Sequence, residues 1–152
     1  MIQEYELGPI FVYVLDYRIT FAEKILSLFY ASMMDGSASI KETRARVRHF
    51  YDLTMLLRQT DVANFLSSAD FYPRVQNIRR DDEELNTREK WSKFKLSAAP
   101  LFSNSSDVTA RIRRIFNPDM EPFVFQPEDL PPFTEVEETI RTIGERIKQL
   151  DL

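Results

Sequence analysis

The chain has 152 residues, a length that fits one domain with its own core, and 43% are hydrophobic against 29% charged, an ordinary globular balance. The lack of cysteine excludes disulfides and thiolate metal sites, and the single histidine excludes a multi-histidine zinc centre and a two-histidine relay. A formal net charge of −4 argues against a free-standing nucleic-acid binder, and only three glycines argue against a turn-rich all-β fold.

The N-terminal stretch "MIQEYELGPIFVYVLDYR" has neither a basic n-region nor a small-residue cleavage site, and the apolar run from Pro9 to Leu15 is too short to span a bilayer. A cytoplasmic protein is expected. Residues 10–15, "IFVYVL", are β-branched and aromatic and read as a strand, apolar on both faces. Such a strand normally lies inside a covered sheet. The other strand candidate is "FVF" at 123–125, which Pro122 and Pro127 confine to a short edge piece. The strand at 10–15 is therefore expected to need a partner domain, a second copy or a covering helix.

From Ile19 to about Met34 the pattern is helical, with Phe21, Ile25, Leu28 and Phe29 on one side and a capping box of Thr20 and Glu23 at the start. "DGSAS", 35–39, reads as a loop. A second helix is expected from about Ile40 to Arg58, with Val47, Phe50, Tyr51, Thr54 and Leu57 along one face. A short helix follows through Leu66, capped by Thr60 or Asp61, and another runs from Asp70 or Pro73 to about Lys90. Residues 96–105 read as a loop, and Ser106 or Asp107 caps a helix over "VTARIRRIF". Residues 117–133 hold five of the eight prolines and read as an extended connector. The last helix, Thr134 to Leu150, has its acids first and its bases last, as the helix dipole favours. The expected architecture is one mainly α domain over 1–152, of five to six helices with one N-terminal strand. A strand-containing lead-in (1–17) leads into a helical core (18–116), the Pro-rich connector (117–133) and a C-terminal helix (134–152).

Charge is unevenly spread along this frame. Residues 41–58 carry Lys41, Arg44, Arg46, Arg48 and Arg58 against Glu42 and Asp52, while 119–138 carry seven acids. A basic helix beside an acidic end can bind an anion on one face. Asp52 stands among aromatics and leucines, one turn after Arg48. An unpaired carboxylate there is costly, so it is either a partnered helix charge or one that faces a site. Lys24, between Phe21 and Leu28, either snorkels to water or joins that site. Arg79 and Arg80 are either a solvated face or further cations for polyphosphate. Packing the first two helices antiparallel brings Lys24, Arg48 and Asp52 together.

"RITFAEKILSLFYA" followed by "RHFYDLTMLL" resembles the AbiEii nucleotidyltransferase-like toxin family, whose members read as an R-T-F-x-E-K-I helix and then an R-H-x-Y-D-L helix. "FVYVLDYRITFAEK", "FYPRVQNIRR" and "FVFQPEDLPPFTEVEETIRTIGERI" are similar to the family's lead-in, downstream basic segment and tail. The resemblance implies a DNA-polymerase-β-like nucleotidyltransferase of toxin–antitoxin and phage-defence systems, some of which modify tRNA. It implies that Asp52 is the motif aspartate needed for activity and that Lys24 contacts a nucleoside triphosphate. Arg79 or Arg80 falls where the family has a downstream basic residue and joins it at the nucleotide, and Arg48, one turn before Asp52, is taken as a further nucleotide-binding residue. Mg2+ and a nucleoside triphosphate are implied for the intact enzyme. The family's G-S-x-x-x-R-x-T-x-D-x-D motif, which holds the metal, does not occur: Gly36 and Ser37 are followed by Ala38, Ser39 and Ile40. The chain alone is then expected to bind no metal or cofactor. It looks like the C-terminal helical half of such an enzyme, whether a split-gene product, a truncated gene or an excised fragment.

Three readings follow. The chain contributes nucleotide contacts and is inactive until a catalytic half joins it; or it is a stand-alone helical interaction module derived from that family; or it is an independent enzyme of another class. The third has little to build a site from. Expected partners are the missing catalytic half or a second copy covering 10–15, an antitoxin, and tRNA through the intact enzyme.

Overall fold

Helix α1 (Tyr17–Ser32) starts where the Asp16 carboxylate accepts the Arg18 amide at 2.9 Å, satisfying one of the first-turn donors. The same carboxylate pairs bidentately with the Arg18 guanidinium. This cap displaces the expected Thr20–Glu23 box, because Asp16 already ends the extended backbone and the Thr20 amide is bonded to the Asp16 carbonyl. The computed structural model of the chain describes residues 14–86, 94–103 and 106–152.

α1 is apolar over most of its surface from Phe21 to Ala31, so it is covered on all but the edge that carries Glu23, Lys24 and Ser27. It packs against α2 (Gly36–Ala45), α3 (Val47–Leu57), α4 (Thr60–Ser67) and α5 (Phe71–Asn86). A second layer is made by α6 (Ser106–Met120) and α7 (Phe133–Gln149), both resting on α3. The fully enclosed side chains Phe21, Phe29, Phe50, Phe71, Phe102 and Phe116 link the layers. Each such ring contributes about 2–3 kcal/mol of burial, and truncating Phe29 or Phe50 to alanine would cost about 3–5 kcal/mol.

The helix expected over 40–58 is two. α2 begins already at Gly36, inside the stretch read as a loop, and the chain breaks at Arg46 (φ −110°, ψ 18°). There the Arg46 amide reaches the Thr43 carbonyl and the His49 amide reaches the Arg46 carbonyl, a tight turn between the two helices. The guanidinium fixes the break. It donates to Ser27 Oγ on α1 at 3.0 Å and to the Glu42 carbonyl at 3.0 Å, and it pairs with the Glu42 carboxylate.

α6 runs four residues past Phe116 and through Pro118, into the stretch expected to be extended. Its last turn is tied down by buried Met120 and by a bidentate Arg44–Asp119 pair at 2.6 and 2.8 Å. The rest of the connector holds two 3-10 turns, Glu121–Phe123 and Pro127–Asp129, so "FVF" is not an edge strand. α7 buries Val136, Thr139, Ile143, Gly144 and Ile147 along one stripe. Gly144 lets α7 approach closely there, since a Cβ would stand 3.1 Å from the Phe102 carbonyl oxygen and would press that backbone back by a few tenths of an ångström. Arg146 closes the end of α4, donating to the carbonyls of Leu66, Ser67 and Ser68.

Seven α-helices and no strand occur among the described residues. The strand expected at 10–15 lies outside them except for Val14 and Leu15, which are irregular and 84% and 61% exposed. No helix among the described residues is long and apolar enough to cross a membrane.

Candidate functional site

Three side-chain contacts stand in a row where α1 crosses α3 and the start of α4. Arg46 Nε meets Ser27 Oγ at 3.0 Å, Lys24 Nζ meets Asp52 Oδ2 at 2.7 Å, and Tyr17 OH donates to Asp61 Oδ2 at 2.8 Å. Residue numbers fall along α1 as they rise along the partner, so the helices run antiparallel. Tyr17, Lys24 and Ser27 recur at helical spacing on one edge of α1, beside its wholly apolar side.

Lys24 and Asp52 form the centre of this seam. Their side chains are 19% and 21% exposed, so the pair sits at a rim, mostly enclosed but reachable. One of the three lysine donors is used on Asp52. Arg48 lies one turn before Asp52, its Nε 4.0 Å from Oδ1 and its side chain largely in solvent. The expected trio of Lys24, Arg48 and Asp52 is therefore together.

Sequence reasoning did not single out Ser27, Arg46 or His49 as members of this seam. The signal was present: Ser27 is three residues after Lys24 and His49 three before Asp52, each on the same helix face. His49 is half-buried, and its Nδ1 is enclosed without a hydrogen-bond partner. Burial holds its pKa below the usual histidine value. The charges of Lys24, Arg46 and Arg48 push the same way, against the pull of Asp52. A neutral imidazole beside three cations follows.

Arg79 and Arg80 lie elsewhere. Arg79 is only 6% exposed: Nε bonds Glu83 at 2.9 Å, a terminal nitrogen donates to the Phe94 carbonyl at 2.6 Å, and the guanidinium stacks over Phe29. Phe29 is five residues after Lys24, which places it about 140° round the helix from the lysine. Arg80 is exposed, 3.3 Å from Asn77 Oδ1 and 3.9 Å from Asp81. The described contacts of these two arginines are local to α5 and its surroundings.

Among the described residues no three of His, Asp or Glu are grouped to share a metal ion, and Asp52 is committed to Lys24. The residues described do not fit a divalent cation site. What the seam offers is positive: Lys24, Arg46 and Arg48 against Asp52 and Glu42, with Lys24 and Arg48 at the surface. Seven residues before Lys24, about 10 Å along the helix axis, a depression of about 460 Å3 is lined by Tyr17, Leu56, Gln59, Thr60 and Asp61.

The family model for nucleotidyl transferase AbiEii toxins of type IV toxin–antitoxin systems matches residues 2–140. No curated protein and no solved structure matches the chain.

Proposed function

The chain belongs to the AbiEii family of nucleotidyl transferase toxins of type IV toxin–antitoxin systems, and from that membership we propose that it supplies the nucleotide-triphosphate contacts of a nucleotidyl transfer reaction. The observation that carries the reading is the Lys24–Asp52 contact at a part-open rim with Arg48 beside it. Phosphate oxygens are recognised by a lysine with spare donors and by an arginine fork. The depression at Tyr17 and Leu56 is near enough to take the remainder of a nucleotide whose phosphates lie at Lys24.

Asp52 would orient the Lys24 ammonium. When phosphate arrives, the lysine shares its donors between the two, and Arg48 turns in from solvent. Neutral His49 adds no further positive charge to bind phosphate non-productively. The metal-bound chemistry of in-line transfer needs carboxylates that these residues do not provide. We place them on a separate catalytic portion carrying a G-S and D-x-D motif, so the chain as given is inactive alone and active when that portion is supplied. Arg79, held under Phe94 and against Phe29, supports the helical frame in this reading, and Arg80 remains open to the acceptor. The acceptor is a nucleic acid such as tRNA, and the cognate antitoxin counters the activity.

Calorimetric titration of the purified chain with a nucleoside triphosphate tests the first step. Weak binding is expected, reduced at least about tenfold by Lys24→Met, a loss of about 1.4 kcal/mol. Labelled nucleotide, magnesium and total tRNA test the second: no incorporation by the chain alone, incorporation once the D-x-D portion is added. Binding that ignores Lys24→Met sinks the site. A chain that neither binds nucleotide nor gains activity with the added portion is instead a stand-alone helical interaction module of this family.

A further inference from the structure

Two features outside the Lys24 seam are unexplained by nucleotide transfer, and they are complementary to each other. The first is a hook in the connector between α6 and α7. Phe125 is 100% exposed and Phe123 62% exposed, on backbone that is extended at Val124 (φ −111°, ψ 152°) and Gln126 (φ −137°, ψ 143°). The hook is held in shape. A 3-10 turn stands on each side, Pro122 and Pro127 restrict the backbone, and the Gln126 amide donates to Asp129 Oδ2 at 3.2 Å. Acids surround it. Glu121 and Glu128 are exposed and have no ion-pair partner among the described residues.

The second feature is a groove of about 730 Å3 between α6 and α7. Ile112, Val136 and Ile140 form its floor, and Arg113, Arg114 and Arg141 rise at its edges. Arg113 pairs with Glu137 and stacks over Phe133 at 5.0 Å, while Arg141 pairs with Glu138 and Glu145. Arg114 is exposed and makes no hydrogen bond or ion pair among the described residues.

We propose that the groove between α6 and α7 is filled by the Phe123–Phe125 hook of a second copy of this chain. The rings supply the apolar body that the floor lacks, and Glu121 and Glu128 supply the counter-charge that Arg114 lacks. Within one copy the hook leaves both rings in water although it joins the very helices that form the groove. A second copy therefore satisfies what the first cannot. Nucleic acid fits less well, because the groove floor is apolar and the adjoining hook is acidic. Hook into groove is a head-to-tail contact, which propagates as a chain or closes as a ring rather than stopping at a symmetric pair. With Phe123 already partly covered, the two phenylalanine side chains have about 240–400 Å2 left to bury, below the roughly 800 Å2 per partner of a standard interface, so association should be weak, with a dissociation constant on the order of 0.1 mM. Fixing the hook beforehand reduces the ordering cost.

Sedimentation equilibrium of the full chain over a wide concentration range is the test. The wild type should grow in mass with concentration. Phe123→Ser/Phe125→Ser, which lacks the hook, and Arg114→Glu, which spoils the groove, should each stay monomeric with unchanged circular dichroism, since all three positions are exposed. Mixed together, the two variants still hold one good hook and one good groove, so they should form dimers and stop there. A wild type that stays monomeric throughout, a hook variant that still associates, or a mixture that stays monomeric overturns the proposal. So does a monomeric wild type whose groove instead binds a labelled oligonucleotide that Arg114→Glu releases, which assigns the groove to nucleic acid.

Discussion

Replacing Asp52 with alanine removes the partner that holds the Lys24 ammonium at 2.7 Å. The size of the effect follows from where the pair sits. Breaking a fully buried ion pair costs about 3–5 kcal/mol, because a bare charge is left behind, whereas an exposed pair contributes about 0–1 kcal/mol. The Lys24 and Asp52 side chains are each about four-fifths enclosed, which places the pair between these limits. The lysine stem can bend its amine to the rim, so part of the penalty is relieved. Arg48, at 4.0 Å and mostly solvated, adds only about 0.3–0.5 kcal/mol. Asp52→Ala should therefore cost about 2 kcal/mol, which for a domain of this size lowers Tm by about 4–8 °C. Lys24→Met keeps the apolar stem and should cost about 1 kcal/mol, since Asp52 retains Arg48 and water. The double variant should cost less than the sum, with a coupling of about 1–2 kcal/mol. Urea denaturation followed by circular dichroism gives all four free energies, with an unchanged slope showing that the unfolded state is not the cause. A coupling below about 0.5 kcal/mol, the range of independent sites, would mean that the contact does not hold α1 to α3, and the reasoning about the seam would be refuted.

His49 should make the fold acid-sensitive near neutrality. Its pKa is lowered in the folded state by burial and by Lys24, Arg46 and Arg48, so the unfolded chain takes up the proton first. Stability is then complete above the unfolded value, about 6.5, and is lost as pH falls through it toward the lower folded value. His49→Gln should flatten the difference in denaturation midpoint between pH 7.5 and pH 5.5 (conditions set about one unit either side of that value), and an unchanged difference would assign the acid sensitivity to other groups. The neighbouring arginines of α5 should separate sharply. Arg79→Ala leaves Glu83 and the Phe94 carbonyl without their donor in an enclosed place and should cost about 3 kcal/mol, whereas Arg80→Ala should stay within about 0.5 kcal/mol. Equal losses in thermal melts would contradict the burial of Arg79.

Local spacing fixed much of the helical frame. The repeats of Phe21, Ile25 and Leu28, and of Val47, Phe50 and Leu57, each mark a face that water disfavours, and such faces can be read within one or two turns of chain. The same periodicity set Lys24 beside the apolar stripe of α1 and Asp52 one turn after Arg48, so their meeting between antiparallel helices was legible, although what joins those helices is α2 and not the short loop expected at 35–39. Membership of the family was legible too, because its two signature segments are continuous in sequence.

What the sequence left open depended on partners distant along the chain. The break at Arg46 is held by Ser27, nineteen residues back, and the last turn of α6 by Arg44, seventy-five residues from Asp119. Propensity over "SIKETRARVRHF" cannot see either partner, so one helix was expected where two exist. Arg79 and Arg80 are chemically identical and adjacent. Only the packing of α5 on α1 puts one guanidinium over Phe29 and leaves the other in water. A helix repeat encodes which side of a segment avoids solvent, but the identity of the group waiting on that side is decided by the tertiary structure, because a charge or a hydrogen-bond donor is satisfied by whatever atom the fold brings within about 3 Å.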